Sequence, residues 1–433
     1  MSDKTNLSEQ ELLLLSNYEY FNCSTDAGTI GENINKLKNE DGTFDINKVL
    51  AQGACGDIIS EDDAVDILTR LENSEKLSNF HMARCINKGG IRATLFADKG
   101  EEQATLVFRG TGGTYKAWED NVLGEYQTDT KLQTLAADFV KYECGAFDDI
   151  TVTGHSKGGN LSQYVTIVCG EQVSRCVSFD GQGFGKNFLE AHDDEVKVAR
   201  DKITSISGFN DFVNILLTPV AGTVLYVKNQ EGISVDMHSC YTMLSNGSFD
   251  SNGDFRRDFG VIPQLPAMTM AKWASDGIVS VMNSLPEDGE QKATEVLAAW
   301  VASIFSNDKG DEYEKKRISE TIAEFKNYTN KLIGVTQSEE TIVSCCREYL
   351  YICVEKVKEA YNAFDNIYDS IVAYPENIED IQNRLDYSIL GRSYTEKALN
   401  RIVLKTKENV ERIGRIRDAL REIIAYYEQA DMA

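Results

Sequence analysis

The sequence predicts an α/β fold with a mostly parallel sheet and flanking helices, followed by an all-α helical domain. Strand-length apolar runs alternate with helical segments between residues 90 and 227, which is typical of a layered α/β fold. Beyond residue 310 glycine becomes scarce and apolar residues recur at steps of three and four, which indicates a helical bundle or hairpin. We therefore predict an α/β domain over residues 1–260, an apolar helical linker or lid over 261–310, and a C-terminal helical domain over 311–433.

The individual elements follow from short apolar runs, helical spacing and turn residues. The predicted helices cover residues 10–20, 45–52, 61–77, 130–143, 159–168 and 292–305. The predicted strands cover residues 90–97, 103–108, 149–153, 175–180, 202–207 and 223–227, and the first two form a hairpin. Ser60 precedes three acidic residues and is expected to cap a helix.

Two segments allow alternative interpretations. The first 85 residues are largely helical and form either a cap or the first helices of the α/β layers. Residues 261–286 are apolar, rich in methionine and bounded by proline, so they form either a lid or a helix that packs the two domains together.

The composition argues against several classes of function. The 433 residues carry a formal net charge of −25, which disfavours nucleic acid and electrostatic attachment to anionic lipid. The N-terminus has an acidic start, and no apolar stretch approaches the about 18 residues of a transmembrane helix, so we expect a chain made in the cytoplasm without a signal peptide. The ten cysteines form no C-x-x-C pair and are expected to be reduced core residues; no metal or cofactor is predicted.

The stretch from Gly154 to Gly158 reads Gly-His-Ser-Lys-Gly between a predicted strand and a predicted helix. A serine raised on such a tight turn leaves no room for side chains two residues before or after it, which explains both glycines. The backbone N–H of Lys157 then lies at a helix N-terminus, where it can stabilise an oxyanion. Ser156 is therefore predicted to be a nucleophile, and the alternative is a tight corner between strand and helix.

A serine nucleophile needs a base, and the chain has four histidines. His155 adjoins the serine and is expected to pack behind the turn, His81 precedes the predicted hairpin, and His192 lies in an acidic run. His238 remains as the predicted base, and its alternative is a hydrogen-bonded loop histidine.

The orienting acid has two candidates at the ends of predicted strands. Asp211 gives the chain order Ser156, Asp211, His238, which is the order of an α/β-hydrolase triad. Asp180 is the rival acid, and its alternative role is that of a turn aspartate beside glycines. Asp236 is close to His238 in sequence but lies on the same loop.

These residues resemble the class 3 lipases, and most of all their bacterial Mbeg-like relatives. The resemblance rests on motifs over about residues 85–245: Val-Phe-Arg-Gly-Thr at 107–111, the Gly-His-Ser-Lys-Gly-Gly-Asn run at 154–160, Phe-Asp-Gly at 179–181, Asn-Asp-Phe-Val at 210–213, and His238. It implies a serine hydrolase of carboxylic lipid acyl esters, of the lipase or phospholipase A type, without a cofactor or metal. It also implies that Thr111 supplies the second oxyanion donor beside Lys157. Two departures concern the substrate: Lys157 stands where a lipase usually has leucine, and Asp211 lacks the usual following proline.

The C-terminal helices resemble the LXG and WXG helical hairpins that Gram-positive bacteria export by type VII secretion. Ile-Leu-Gly at 389–391 resembles the turn, without its tryptophan, and Tyr427 with Asp431 resembles the tail motif. This resemblance implies a lipase toxin of reverse domain order, exported without a cleaved signal peptide, bound by small helical partners and countered by an immunity protein. The alternatives are a cytosolic esterase whose helices serve dimerisation or a lid, and a binding module on a hydrolase scaffold.

Overall fold

The structure is a computed structural model that divides the chain into two units, Met1–Ile318 and Ser319–Ala433. It describes residues 6–54, 59–100, 103–112, 114–147, 149–229, 238–257 and 287–305, and isolated positions between 316 and 421. The described positions of the second unit are all helical except Val372. The candidate lid at 261–286, the turn at 389–391 and the tail at 427–431 lie outside the described residues.

A seven-stranded sheet forms the centre of the first unit, with its strands in chain order from one edge to the other. The strands are β1 His81–Lys88, β2 Ile91–Ala97, β3 Ala104–Phe108, β4 Ile150–His155, β5 Val173–Phe179, β6 Ile203–Gly208 and β7 Thr223–Val227. β1, β2 and β3 are antiparallel, and the pairs from β3 to β7 are parallel. The mostly parallel sheet, its six predicted strands and the hairpin of β2 and β3 are thus confirmed.

β1 is the strand that the sequence does not predict. It lies at an edge of the sheet, and Ile86 is the one buried side chain along it. Its sequence therefore has neither the apolar run nor the strict alternation by which strands are recognised. His81, predicted to precede the first strand, is the first residue of β1.

The helices of the first unit flank the sheet. They are α1 Glu9–Tyr18, α2 Ile30–Asn35, α3 Ile46–Leu50, α4 Glu61–Asn73, α5 Glu75–Ser78, α6 Tyr115–Leu123, α7 Lys131–Asp138, α8 Lys157–Val168, α9 Lys186–Ala191, α10 Asp193–Ala199, α11 Cys240–Asn246 and α12 Glu287–Phe305. The Ser60 hydroxyl accepts a hydrogen bond from the Asp63 N–H, which confirms the predicted cap of α4. Among the described residues, no helix is both long and apolar enough to cross a bilayer.

One face of the sheet is covered by the helices that connect its parallel strands. Connections between parallel strands are right-handed, so a sheet built in chain order has its crossovers on a single face. Ala136 of α7, Val165 of α8 and Phe188 of α9 share one buried cluster there with Leu106 and Val152 of the sheet. The opposite face therefore has to be covered by other parts of the chain.

The N-terminal helices and α11 cover that second face. Leu12 of α1, Ile67 of α4 and Met243 of α11 are buried in one cluster with Val107 and Phe179 of the sheet. The first 85 residues thus supply a layer of the α/β fold, which is the second of the two alternatives that the sequence left open.

Helix α12, the last helix whose bounds are given above, packs against α6. The Tyr115 hydroxyl donates to the carbonyl of Ala299 at 3.1 Å, and the Thr294 hydroxyl donates to Glu125 at 2.8 Å. Ala299 and Ala302 are buried in a cluster with Tyr115. The apolar helix predicted at 292–305 is therefore present, and it belongs to the first unit.

Glu19, just after α1, places a carboxyl group in the interior between α1 and the sheet. Its Oε1 lies 3.5 Å from the Arg92 Nε and accepts a hydrogen bond from the Thr94 hydroxyl at 3.1 Å. Burial raises the pKa of Glu19 from 4.5 to about 7, and the charge of Arg92 offsets this effect only in part. Glu19 therefore couples the stability of the fold to pH.

We predict that Glu19 makes the chain less stable as the pH rises through 7. A raised pKa means that the folded chain holds the proton more tightly than the unfolded chain, so this stabilisation is complete below pH 4.5 and lost by about pH 8. A shift from 4.5 to about 7 corresponds to about 3 kcal/mol. Urea unfolding across this range should show that decline for the wild type relative to Glu19→Gln, while the exposed control Glu40→Gln follows the wild type. Parallel curves for the wild type and Glu19→Gln would contradict the prediction.

Candidate functional site

Ser156 occupies a one-residue turn between β4 and α8. Its backbone has φ +59° and ψ −124°, a left-handed conformation that is strained for any residue with a side chain. The Ser156 N–H donates to the carbonyl of Phe179 at 2.9 Å, which fixes the turn against the end of β5. This combination of strand, strained serine and helix is the geometry of a nucleophile elbow.

The two glycines around Ser156 lie in contact with the backbone of β3. A Cβ atom on Gly154 would come within 2.5 Å of the Phe108 carbonyl oxygen, and one on Gly158 within 2.1 Å of the same atom. Both distances are far shorter than any real contact of a Cβ atom. The glycines that the sequence pattern required are thus needed for the end of β3 to pass beside the turn.

Asp211 and His238 are hydrogen-bonded to each other. Asp211 lies fully buried in the loop after β6, and its Oδ2 is 2.6 Å from the Nδ1 of His238. Its Oδ1 accepts hydrogen bonds from the N–H groups of Val213 and Asn214, both at 2.9 Å. The loop therefore holds the carboxylate in one orientation, and the carboxylate in turn orients the imidazole.

Asp180, the rival acid, makes different contacts. It follows β5 in a left-handed conformation with φ +48°, and its Oδ1 accepts from the Gly208 N–H at 2.8 Å. Its Oδ2 lies 4.0 Å from the Nε2 of His155 and has no hydrogen-bond partner among the described residues. Burial and the nearby charge of Asp211 raise the pKa of Asp180 well above its usual range, so a neutral carboxyl group is favoured.

His155 contacts the candidate base, a contact that sequence reasoning missed. Its ring centre lies 4.6 Å from that of His238, and Phe212 lies 5.5 Å from His238. The Nδ1 of His155 is hydrogen-bonded to the Tyr20 hydroxyl at 2.8 Å. Burial lowers the pKa of His155 well below 6.5, so its ring is neutral. His155 thus connects the elbow to His238 and to the N-terminal layer.

Thr111 lies in the loop after β3, and α6 holds its side chain. The Thr111 hydroxyl accepts a hydrogen bond from the Asn121 side-chain amide at 2.8 Å. The backbone carbonyl of Asn121 accepts a hydrogen bond from the Gln182 side-chain amide at 3.1 Å. The loop that carries Thr111 is therefore tied to α6 and to the segment after β5.

The side chain of Lys157 forms a buried ion pair. Its Nζ lies 2.8 Å from the Oδ1 of Asp120 on α6, and both side chains are almost fully buried. Asp120 also accepts hydrogen bonds from the Thr130 hydroxyl and the Leu132 N–H. Lys157 therefore anchors the elbow to α6, and the sequence offers no signal for its partner Asp120.

Three side chains around the elbow have the chemistry of metal ligands. His155, Asp180 and His238 each offer one ligand atom, and these atoms lie within 4.8 Å of one another; they form the one such group found among the described residues. His192, by contrast, is partly exposed beside α9 and lies 3.2 Å from the Oδ1 of Asp129.

Comparison of the sequence with protein-family models found a match for part of the chain. Residues 83–273 match the Mbeg1-like family model. The Mbeg1-like match covers less than half of the chain and contains Ser156, Asp211 and His238. Together with the α/β sheet it fits a lipase-like hydrolase, and it supports the Mbeg-like resemblance drawn from the motifs. Comparison with curated proteins found no match. The LXG-type resemblance of the C-terminal helices stays a prediction.

We predict that Lys157→Met destabilises the chain by leaving the buried charge of Asp120 without its partner. Removing one partner of a buried ion pair costs about 3–5 kcal/mol, whereas removing both charges is often nearly neutral. The double variant Lys157→Met with Asp120→Asn should therefore regain most of the loss in urea unfolding. An equal loss for the single and the double variant would show that the ion pair is not responsible.

Proposed function

We propose that the chain is a serine hydrolase that cleaves carboxylic esters through an acyl-enzyme, with Ser156 as nucleophile, His238 as base and Asp211 as orienting acid. The observation that carries this proposal is the 2.6 Å contact between Asp211 Oδ2 and His238 Nδ1, beside a serine in a strained elbow. His155 adjoins Ser156 in the chain and its ring centre lies 4.6 Å from that of His238, which supports a shared site for the proposed base and nucleophile.

The first half of the reaction forms the acyl-enzyme. Asp211 accepts the Nδ1–H of His238, which leaves the Nε2 lone pair free to take the proton of the Ser156 hydroxyl. Nε2 makes no hydrogen bond to Ser156 or to any other described residue, so the proposed proton transfer requires the two side chains to come within hydrogen-bond distance when substrate binds. The serine oxygen attacks the ester carbonyl, and His238 then returns the proton to the departing alcohol. In the second half, a water molecule attacks the acyl group by the same proton route and releases the acid.

The backbone N–H groups of Lys157 and Thr111 are the proposed oxyanion donors. Lys157 is the first residue of α8, so its N–H points out of a helix N-terminus of partial positive charge. Thr111 is held by Asn121, and the Lys157 side chain is held by Asp120 of the same helix. Helix α6 thus positions both donors, and preorganised donors are a large part of the catalysis of acyl transfer.

Lipid acyl esters, including those of phospholipids, are the proposed substrates. The Mbeg1-like match supports a lipase-like chemistry. The net charge of −25 does not favour electrostatic attraction to anionic lipid, so apolar contacts have to bring the substrate to the site. A substrate with a short, soluble acyl chain remains the alternative, and it corresponds to a cytosolic esterase.

Export as a type VII toxin, with small helical partners and an immunity protein, is a separate hypothesis about the C-terminal helices. The motifs on which it rests lie outside the described residues. Detection of the chain in culture medium, and its purification together with small helical proteins, would support this hypothesis over the cytosolic esterase. A non-catalytic binding module is the third hypothesis, and measurable turnover would exclude it.

We predict that Ser156→Ala abolishes ester hydrolysis. Loss of the nucleophile of a serine hydrolase lowers kcat by about 10⁶-fold, because the remaining groups cannot form an acyl-enzyme. The assay would use p-nitrophenyl esters of increasing chain length and phospholipid vesicles. The control is Ser245→Ala at an exposed serine of α11, which should behave as the wild type. Equal rates for the wild type and Ser156→Ala would remove Ser156 from the mechanism.

We predict that Asp211→Asn lowers kcat far more than Asp180→Asn. The amide at position 211 cannot keep the imidazole in the required tautomer, and such a change typically costs about 10⁴-fold. Asp180→Asn retains the oxygen that accepts from the Gly208 N–H, and it leaves the pair of Asp211 and His238 intact. Circular dichroism would verify that both variants fold. A larger loss for Asp180→Asn would make Asp180 the acid.

A further inference from the structure

The hydrolytic mechanism uses one member, His238, of a buried cluster of three side chains beside the elbow, but it gives no role to the other two, His155 and Asp180. His155, Asp180 and His238 are 5%, 0% and 9% exposed. The His155 Nε2, the Asp180 Oδ2 and the His238 Nε2 all lack a hydrogen-bond partner among the described residues. The free His238 Nε2 is explained by the proposed role of that residue as the base, but the His155 Nε2 and the Asp180 Oδ2 are not. Because a buried polar atom without a partner typically costs about 1–3 kcal/mol, these two neighbouring atoms point to a bound species that interacts with them.

The surroundings fix the direction of these atoms. The Tyr20 hydroxyl is hydrogen-bonded to the other ring nitrogen of His155, Nδ1. The Gly208 N–H donates a hydrogen bond to the other carboxyl oxygen of Asp180, Oδ1. The remaining atoms, His155 Nε2 and Asp180 Oδ2, lie 4.0 Å apart, and one ligand atom of His238 completes a set within 4.8 Å. Hydrogen bonds to the far side of a ligand are a regular feature of metal sites, where they set its orientation.

We propose that His155, Asp180 and His238 bind one zinc ion, and that zinc inhibits the hydrolase. Two imidazole nitrogens and one carboxylate oxygen form a ligand set that zinc favours, with a fourth position left for water. Zinc bonds of about 2.0–2.2 Å require tetrahedral ligands about 3.3 Å apart, so the side chains need to move inward by about 1 Å. Magnesium and calcium prefer six or more oxygen ligands and do not suit this site.

Inhibition follows from the position of His238, and this part rests on the proposed function. Zinc on Nε2 occupies the lone pair that would accept the serine proton. Zinc on Nδ1 displaces the hydrogen bond to Asp211 and leaves the proton on Nε2. In either arrangement His238 no longer acts as a base, so bound zinc and catalysis exclude each other.

The binding experiment uses the full chain after treatment with a chelator. Zinc would be titrated by calorimetry into the wild type, Asp180→Asn and His155→Gln, and cobalt would be followed by the visible absorption of a tetrahedral site. We expect one site that weakens by at least about tenfold in either variant, as loss of a ligand should exceed the usual 10–100-fold effect of a supporting residue. His192→Gln and Cys85→Ser are the controls: both positions lie outside the cluster, and Cys85 is exposed. Zinc that binds elsewhere on the chain contributes equally to every variant, so only the difference in zinc affinity between variants reports on this site.

The activity experiment is independent of the binding experiment. Added zinc should inhibit ester hydrolysis by the wild type at the concentrations that fill the site, a chelator should restore the rate, and His192→Gln should respond as the wild type does. If no variant hydrolyses an ester, the titration alone still decides whether the site exists. Equal zinc affinity in the wild type, Asp180→Asn and His155→Gln would overturn the proposal, as would full activity of the zinc-saturated chain.

Discussion

The close approach of the Phe108 carbonyl to Gly154 and Gly158 is the constraint on which the site depends. The end of β3 passes so near to the turn that no side chain fits at either glycine. Because the backbone of β3 packs so closely against the two glycines, the chain can turn from β4 into α8 within one residue. That residue, Ser156, has a positive φ and therefore a strained backbone. The same turn starts α8 at Lys157 and ends β4 at His155. The proposed nucleophile, one proposed backbone donor and the contact to His238 therefore all follow from one packing arrangement.

The layering of the domain explains why distant segments meet at this turn. With the crossovers on one face, the N-terminal helices cover the other, and Tyr20 just beyond α1 reaches the ring of His155. From the crossover side, α6 holds the elbow through Asp120 and the Thr111 loop through Asn121. The site is thus supported from both layers, and α12 packs on the same helix α6. A disturbance of α6 would be transmitted to both proposed oxyanion donors.

The sequence predicts those parts of the fold that are set locally. The parallel strands are short apolar runs between turn residues, and the elbow has its own glycine pattern, so both are recognisable without tertiary contacts. β1 is missed because one buried residue at a sheet edge gives no periodic signal. The partners of Lys157 and His155 are missed for a different reason. Tyr20 lies 135 residues from His155 in the chain, and no local pattern links two such positions. Likewise, the choice between Asp180 and Asp211 depends on the path of the loop after β6, which brings Asp211 to His238 and the Gly208 N–H to Asp180.

The central claim is that Ser156 is a nucleophile activated by His238, and covalent trapping tests it most directly. The full chain would be incubated with a fluorophosphonate, which reacts with activated serines, and the modified peptide identified by mass spectrometry. We predict a single adduct on Ser156 that forms much more slowly in His238→Gln. An unmodified Ser156, or labelling at the same rate in the wild type and His238→Gln, would contradict it.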